Sequence, residues 1–325
     1  SSAADALTYQ LHTATLSTTA LDSMVRFYVD GMGMTLEGPV TATPETKAIQ
    51  RKLWNIPEAI DWELYHLHRP SVPGLIHLRV LVLNTQTPHI HKSYNARELG
   101  PFSLGFPNLN QKRLDRTLRG RGWKAMAALQ EGRIPRADGT TYRYWEAIYK
   151  VPDFIHAVGI ERGDGMNQLA PVDSITQLGG PGYSAQVITN SDRELAFYTD
   201  VLGLELRADR HWKSSENSAL GIEAGVPFRF SLIYAKGATH NHLLFLDYED
   251  GKFIDPDIAP RVPNRGLGMW TFETRAIAKV KANAIAFGSI VIHEAEAYQS
   301  PVYGKAKVMT LLAPNGFLIE VFQKI

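Results

Sequence analysis

The chain has 325 residues, a formal net charge of +1 and no cysteine. That length fits two domains with substantial cores. The charge supplies no field that would gather nucleic acid or an anionic membrane, and the lack of cysteine excludes disulfides, thiolate nucleophiles and cysteine-ligated metal centres. No run of about 18 apolar residues is present, so no transmembrane helix is expected. Residues 1–10, SSAADALTYQ, have neither the basic start nor the apolar stretch of a signal peptide. The chain is therefore expected in the cytoplasm, working on a small molecule rather than on nucleic acid or a membrane, with homo-oligomerisation left open.

Residues 8–15 alternate weakly and are expected as a first strand, followed by a helix over 20–31. Residues 43–55 read as a long connection or a short helix. Residues 62–68 and 76–83 read as strands, the second rich in Val, Leu and Ile. A loop over 85–99, with His89 and His91, leads to a second unit opening at Phe102. Its helix, near 111–119, buries Leu114 and Leu118 and turns its many arginines to solvent. Residues 142–150 and 154–160 form a hairpin that turns at Val151, Pro152 and Asp153. Residues 161–180 are Gly-rich, only weakly periodic, and expected as the interdomain linker. Beyond them come a short strand from Tyr183, a polar turn, an amphipathic helix carrying Leu195 and Tyr198, and strands over 204–209, 228–235 and 242–248. A Pro-rich loop over 250–265 is long enough for a lid or an interface. A last unit starts at Met269 and ends in the hairpin KVMTLLAPNGFLIEVF, turning at Pro314, Asn315 and Gly316.

One motif, F-Y-x-D-x-x-G, occurs twice: Phe27, Tyr28, Asp30 and Gly33, then Phe197, Tyr198, Asp200 and Gly203. A repeat this far apart indicates duplication of a whole domain. Strand, short helix, motif and strand together resemble the opening of the βαβββ module of the vicinal oxygen chelate superfamily, which includes glyoxalases, extradiol ring-cleaving dioxygenases and bleomycin-type resistance proteins. The resemblance implies an α+β fold of two tandem domains, 1–160 and 181–325, with residues 161–180 between them. Each domain would hold paired βαβββ modules forming a curved mixed sheet around a cleft, with the working cleft in the second.

Metal-dependent members of that superfamily hold a divalent cation with His, Gln or Glu from the first and last strands of paired modules. The matching positions here are Tyr183, Met269 and Glu320 in the second half, and Thr13, Ser103 and Val158 in the first. One carboxylate with a phenol and a thioether does not make an Fe(II) site. No metal ligand and no cofactor are therefore expected; the alternative is a divalent ion such as Fe or Mn bound through shifted ligands, for which His12 is a neighbouring donor. His242, in AKGATHNHLLFL, falls where extradiol enzymes carry an acid–base histidine, and Thr310 falls where they carry a catalytic tyrosine. Glu320, between Ile319 and Val321, requires a partner or a raised pKa.

The resemblance thus implies a site with Glu320 and His242 as base and acid, and Tyr183 as a phenolic donor to an oxyanion. Met269, Phe245 and Thr310 would line it, with His211 in a loop at its mouth. The expected activity is metal-independent proton transfer, of isomerase or lyase type, on a small oxygenated molecule that is hydrophobic or aromatic. A metal-dependent dioxygenase or glyoxalase is one alternative, and a non-catalytic small-molecule binding or resistance protein another. No P-loop, dinucleotide glycine fingerprint or nucleophile elbow is present.

Overall fold

A computed structural model describes residues 3–325. The first of four modules contains β1 (Thr8–Thr18), α1 (Leu21–Val25, continued as a π-helix over Arg26–Gly31), β2 (Thr35–Glu37), α2 (Pro44–Leu53), β3 (Trp62–His68) and β4 (His77–Leu83). The second contains β5 (Gly100–Pro107), α3 (Gln111–Gly120), β6 (Gln130–Pro135), β7 (Thr141–Val151) and β8 (Ile155–Arg162). The third contains β9 (Tyr183–Val187), α4 (Ser191–Ala196, continued as a π-helix over Phe197–Val201), β10 (Glu205–Lys213), β11 (Pro227–Tyr234) and β12 (His242–Tyr248). The fourth contains β13 (Gly266–Thr274), α5 (Ile277–Phe287), β14 (Val291–Ser300), β15 (Gly304–Leu312) and β16 (Leu318–Lys324).

Local chemistry accounts for the helices. Thr43 caps α2 by accepting a hydrogen bond from the Thr46 amide, and Pro44 occupies the first turn, where its missing N–H is not needed. Asn110 caps α3 in the same way through the Arg113 amide, and that helix buries Gln111, Leu114, Asp115 and Leu118 along one face. The two copies of the repeated motif fold alike. Phe27 and Tyr28 meet edge-on at 5.1 Å, Phe197 and Tyr198 at 5.0 Å. Gly33 and Gly203 both take φ of 70°, a left-handed conformation that suits glycine.

The strands form two eight-stranded mixed, curved sheets. The first runs β14-β15-β16-β13-β1-β4-β3-β2 and the second β10-β11-β12-β9-β5-β8-β7-β6. Each sheet pairs two modules, as expected, but not consecutive ones within a half. The first module pairs with the fourth through antiparallel β1 and β13, and the second with the third through antiparallel β5 and β9. The boundary expected at residues 161–180 therefore does not divide the sheets. Residues 161–180 join β8 to β9 within the second sheet, which leaves β1 and β13 as the remaining opening strands to satisfy one another's backbone groups.

Side chains from both sheets and the helices, among them Tyr28, Phe106, Tyr198 and Trp270, form the main buried cluster. Each sheet's cleft face carries a smaller cluster of its own, Trp54, Met269 and Phe322 in the first and Ile148, Tyr183 and Leu246 in the second.

Candidate active site

The first cleft is built around Glu320 and Arg79, which are 0% and 1% exposed. Strand register brings them together. Glu320 on β16 lies opposite Thr271 on β13, and Arg79 on β4 lies opposite Thr15 on β1. Arg79 Nη2 donates to Glu320 Oε1 at 2.8 Å, and its Nε donates to Thr15 Oγ1 at 3.0 Å. The Thr271 hydroxyl also donates to Glu320 Oε1, at 3.0 Å, and Trp54 Nε1 donates to Oε2 at 2.7 Å. The Trp54 ring covers the guanidinium, 4.7 Å from its carbon. Burial works most strongly against the Arg79 charge, but the Glu320 carboxylate beside it, together with the Tyr298 and Tyr303 phenols, leaves the guanidinium pKa raised. Thr310, expected to line the site, donates its hydroxyl to the Leu53 carbonyl at 2.6 Å. Met269 is wholly buried, with its sulfur 3.8 Å from Arg79 Nη2.

The residues of the first cleft do not fit the divalent cation held by the metal-dependent members of the family that the sequence resembles. A guanidinium already sits between the first and last strands of the paired modules, with Glu320 as its counter-charge. Irregular pairing of β1 between Leu11 and Thr13 does bring His12 against His77, their rings stacked at 5.6 Å, and His68 stacks on His77 at 5.7 Å. Stacked imidazoles show one another faces rather than lone pairs. Among the described residues, no three His, Asp or Glu are grouped to hold a metal ion.

Tyr183 and His242 lie in the second cleft, as register partners on β9 and β12. His242 is held between two phenol rings, Tyr183 at 5.1 Å and Tyr234 at 4.4 Å. It is 2% exposed, its Nδ1 has no hydrogen-bond partner among the described residues, and burial lowers its pKa to about 3. Tyr183 lies flat across Gly105, where a Cβ would come within 2.0 Å of the ring. Gly105→Ala is accordingly expected to displace Tyr183 and destabilise the fold by about 1–3 kcal/mol, measured by denaturant unfolding; an unchanged midpoint would show that the ring has another place to go.

Alternation along β7 places Tyr144, Glu146, Ile148 and Lys150 on one face, with Ile148 opposite Val158 and Glu146 opposite Ile160. Tyr144 lies across Gly132 as Tyr183 lies across Gly105. Glu146 is half-buried and, among the described residues, its carboxylate has no hydrogen bond or ion pair. Burial alone raises its pKa to about 7. Burial also raises the Tyr183 and Tyr144 pKa values, Tyr144 to about 12, and in both the nearby Glu146 charge adds to the effect.

The four residues expected to converge thus separate into two clefts. Tyr183 and His242 meet in the second; Glu320 and Met269 belong to the first, because β13 and β16 pair with β1 rather than β9. Glu320 is not a free base, since its oxygens are bonded to Arg79, Thr271 and Trp54. Phe245 is not lining. It points to the opposite face of β12 from His242 and packs 5.1 Å from Tyr198 and 6.1 Å from Trp270. His211 is not in a loop. It lies on β10, where its Nδ1 is 2.8 Å from the exposed Glu249 carboxylate. Glu146 went unnoticed, although the alternation of Tyr144, Glu146 and Ile148 marks a carboxylate on an inward-facing strand position.

A carboxyl group with a raised folded pKa has a defined effect on stability. The folded state holds the Glu146 proton more tightly than the unfolded chain, so stability falls as pH rises from about 4.5 to about 7 and stays reduced above that. Glu146→Gln is expected to melt like the wild type at pH 5 and at a higher temperature at pH 8. Equal melting shifts at both pH values would show that the carboxylate is well solvated.

Comparison with solved structures agrees with this architecture. Glyoxalase I from Zea mays matches with a TM-score of 0.60 and 13% identity, over 97% of this chain and 92% of its own. A variant of that enzyme matches with a TM-score of 0.62 and 14% identity, over 99% and 94%. A candidate dioxygenase from Bacillus subtilis matches with a TM-score of 0.56 and 14% identity, over 98% and 86%. No family model matches the chain, and no curated protein does. The chain shares the fold of these proteins, in line with the resemblance carried by its repeated motif, and at these identities the likeness is one of fold.

Proposed function

We propose that the second cleft catalyses metal-independent proton transfer on a small oxygenated molecule, apolar or aromatic in its body, in an isomerase- or lyase-type reaction. The observation that carries this is Glu146, a carboxylate on the cleft face with no partner among the described residues and a pKa raised to about 7 by burial. A base poised near neutrality combines adequate ionisation with adequate basicity. Glu146 would remove a proton from a carbon next to a carbonyl. The Tyr183 and Tyr144 hydroxyls, neutral at this pH, would donate hydrogen bonds to the enolate oxygen as it gains charge. The protonated Glu146 would then return the proton at a second carbon, completing an isomerisation. His242 stays neutral near pH 7 and serves as the surface against which Tyr183 is stacked, rather than as the acid. Ile148, Ile160 and Leu244 suit an apolar substrate body.

The test is deuterium incorporation from D2O into a panel of small aromatic and aliphatic hydroxyketones and ketones, followed by NMR with chelator-treated protein. Exchange at the carbon beside the carbonyl is the expected result. Exchange that appears only after Fe(II), Mn(II) or Zn(II) is added would point to a metal enzyme, and saturable binding without exchange to a binding protein.

A further inference from the structure

A cavity of about 470 Å³ lies where β7 ends, walled by residues 92–96, Met126, Lys150, Phe154 and residues 220–222. Its volume falls in the range of small-molecule sites. Lys92 and Lys150 are the charged residues of its wall, and none of the wall residues is acidic. Among the described residues neither ammonium has an ion-pair partner, and Lys150 Nζ rests 5.9 Å from the centre of the Tyr94 ring. The adjacent Glu98 does not neutralise them. Its carboxylate is occupied by the Lys92 amide at 2.6 Å, the Ser93 hydroxyl at 2.6 Å and His91 at 3.1 Å.

Ser93 and Asn95 add neutral polar groups; Tyr94, Met126, Phe154, Leu220 and Ile222 make up the apolar part of the wall, and its aromatic portion is held in place. Asp153 and Phe154 both take left-handed backbone conformations, with φ of 62° and 55°. For a residue as bulky as Phe this conformation is unusual and costs energy. It sets the Phe154 ring 5.0 Å from Tyr94 on one side and 5.0 Å from His89 on the other. Met126 and Ile222 face the same space. Two unpaired cations beside a fixed aromatic wall suit a ligand with a flat apolar body and a single negative charge.

We propose that this cavity binds a small aromatic carboxylate, its ring against Phe154, Tyr94 and Met126 and its carboxylate between Lys92 and Lys150. The proposal stands independently of the Glu146 chemistry, because Ile148 separates Lys150 from Glu146 on the same face of β7. It is tested by fluorescence titration of the full chain with 1-naphthoate. Saturable binding at one site is expected, weakening as salt is added. Lys150→Met should reduce affinity about ten-fold, the order expected for losing a hydrogen bond to a charged group. Uncharged 1-naphthamide should bind more weakly than the acid. Ile222→Trp, which fills the cavity, should abolish binding, whereas Glu146→Gln should leave it unchanged. Should the wild type show no saturable binding, or should Lys150→Met bind 1-naphthoate as tightly as the wild type, the proposal fails. Because Lys150 is only half-buried, its replacement tests the idea even if the tryptophan variant does not fold.

Discussion

Glu146→Gln is expected to lower chelator-resistant proton exchange by about a hundred- to ten-thousand-fold, the usual effect of removing a positioned general base. The substitution keeps the shape of the side chain and removes its basicity, so substrate affinity should change little. For the wild type, kcat/KM should rise with pH through about 7 and level off above it, because only the ionised Glu146 accepts a proton. His242 should contribute no limb to this profile near neutrality, since burial holds its pKa near 3. Tyr183→Phe should cost less than Glu146→Gln, because Tyr144 can still donate to the enolate. If Glu146→Gln keeps wild-type exchange, the base lies elsewhere and the assignment is wrong. If the variant loses exchange at every pH while also losing affinity, Glu146 is positioning the substrate rather than taking the proton.

Glu320→Gln is expected to act on stability instead, reducing the unfolding free energy by about 3–5 kcal/mol. Removing this carboxylate leaves the Arg79 guanidinium charged, buried and without its counter-ion, beneath the Trp54 ring. Arg79→Met alone should cost a similar amount by stranding Glu320. The two charges were expensive to desolvate together, so replacing both with apolar residues of similar volume, Arg79→Met with Glu320→Met, should recover most of the loss and can exceed the wild type by about 1–4 kcal/mol. Denaturant unfolding of the two single variants and the double variant closes the cycle. A Glu320→Gln variant within about 0.5 kcal/mol of the wild type, the range of an ordinary surface change, would show that the pair is not a buried charge pair. Loss of exchange in a Glu320→Gln protein that remains stably folded would return Glu320 to the chemistry.

Several features of this molecule follow from sequence alone, because they depend on neighbours along the chain. The F-Y-x-D-x-x-G repeats predict duplicated modules, and both copies fold into the same helix-to-turn geometry. The hairpins about Pro152 and Pro314, the α3 stripe of Leu114 and Leu118, and most strand positions are equally local. Strand alternation is local as well: residues three apart on a strand face opposite ways, which separates Phe245 from His242 without any structure. Glu320 lies between, demanding a partner because it sits in an apolar strand, but with nothing nearby to supply one.

Tertiary structure decided the rest. Arg79, the partner of Glu320, is 241 residues away in sequence and reaches it only because the first module pairs with the fourth. Strand edges carry no address of their own: their hydrogen-bonding groups are the same backbone amides and carbonyls whatever the side chains. Which edges meet is settled by closure of the whole chain and by burial of the faces behind them. For the same reason the alternation of β7 marks Glu146 as inward-facing, but its lack of a partner among the described residues is decided only once every neighbour in the cleft is in place.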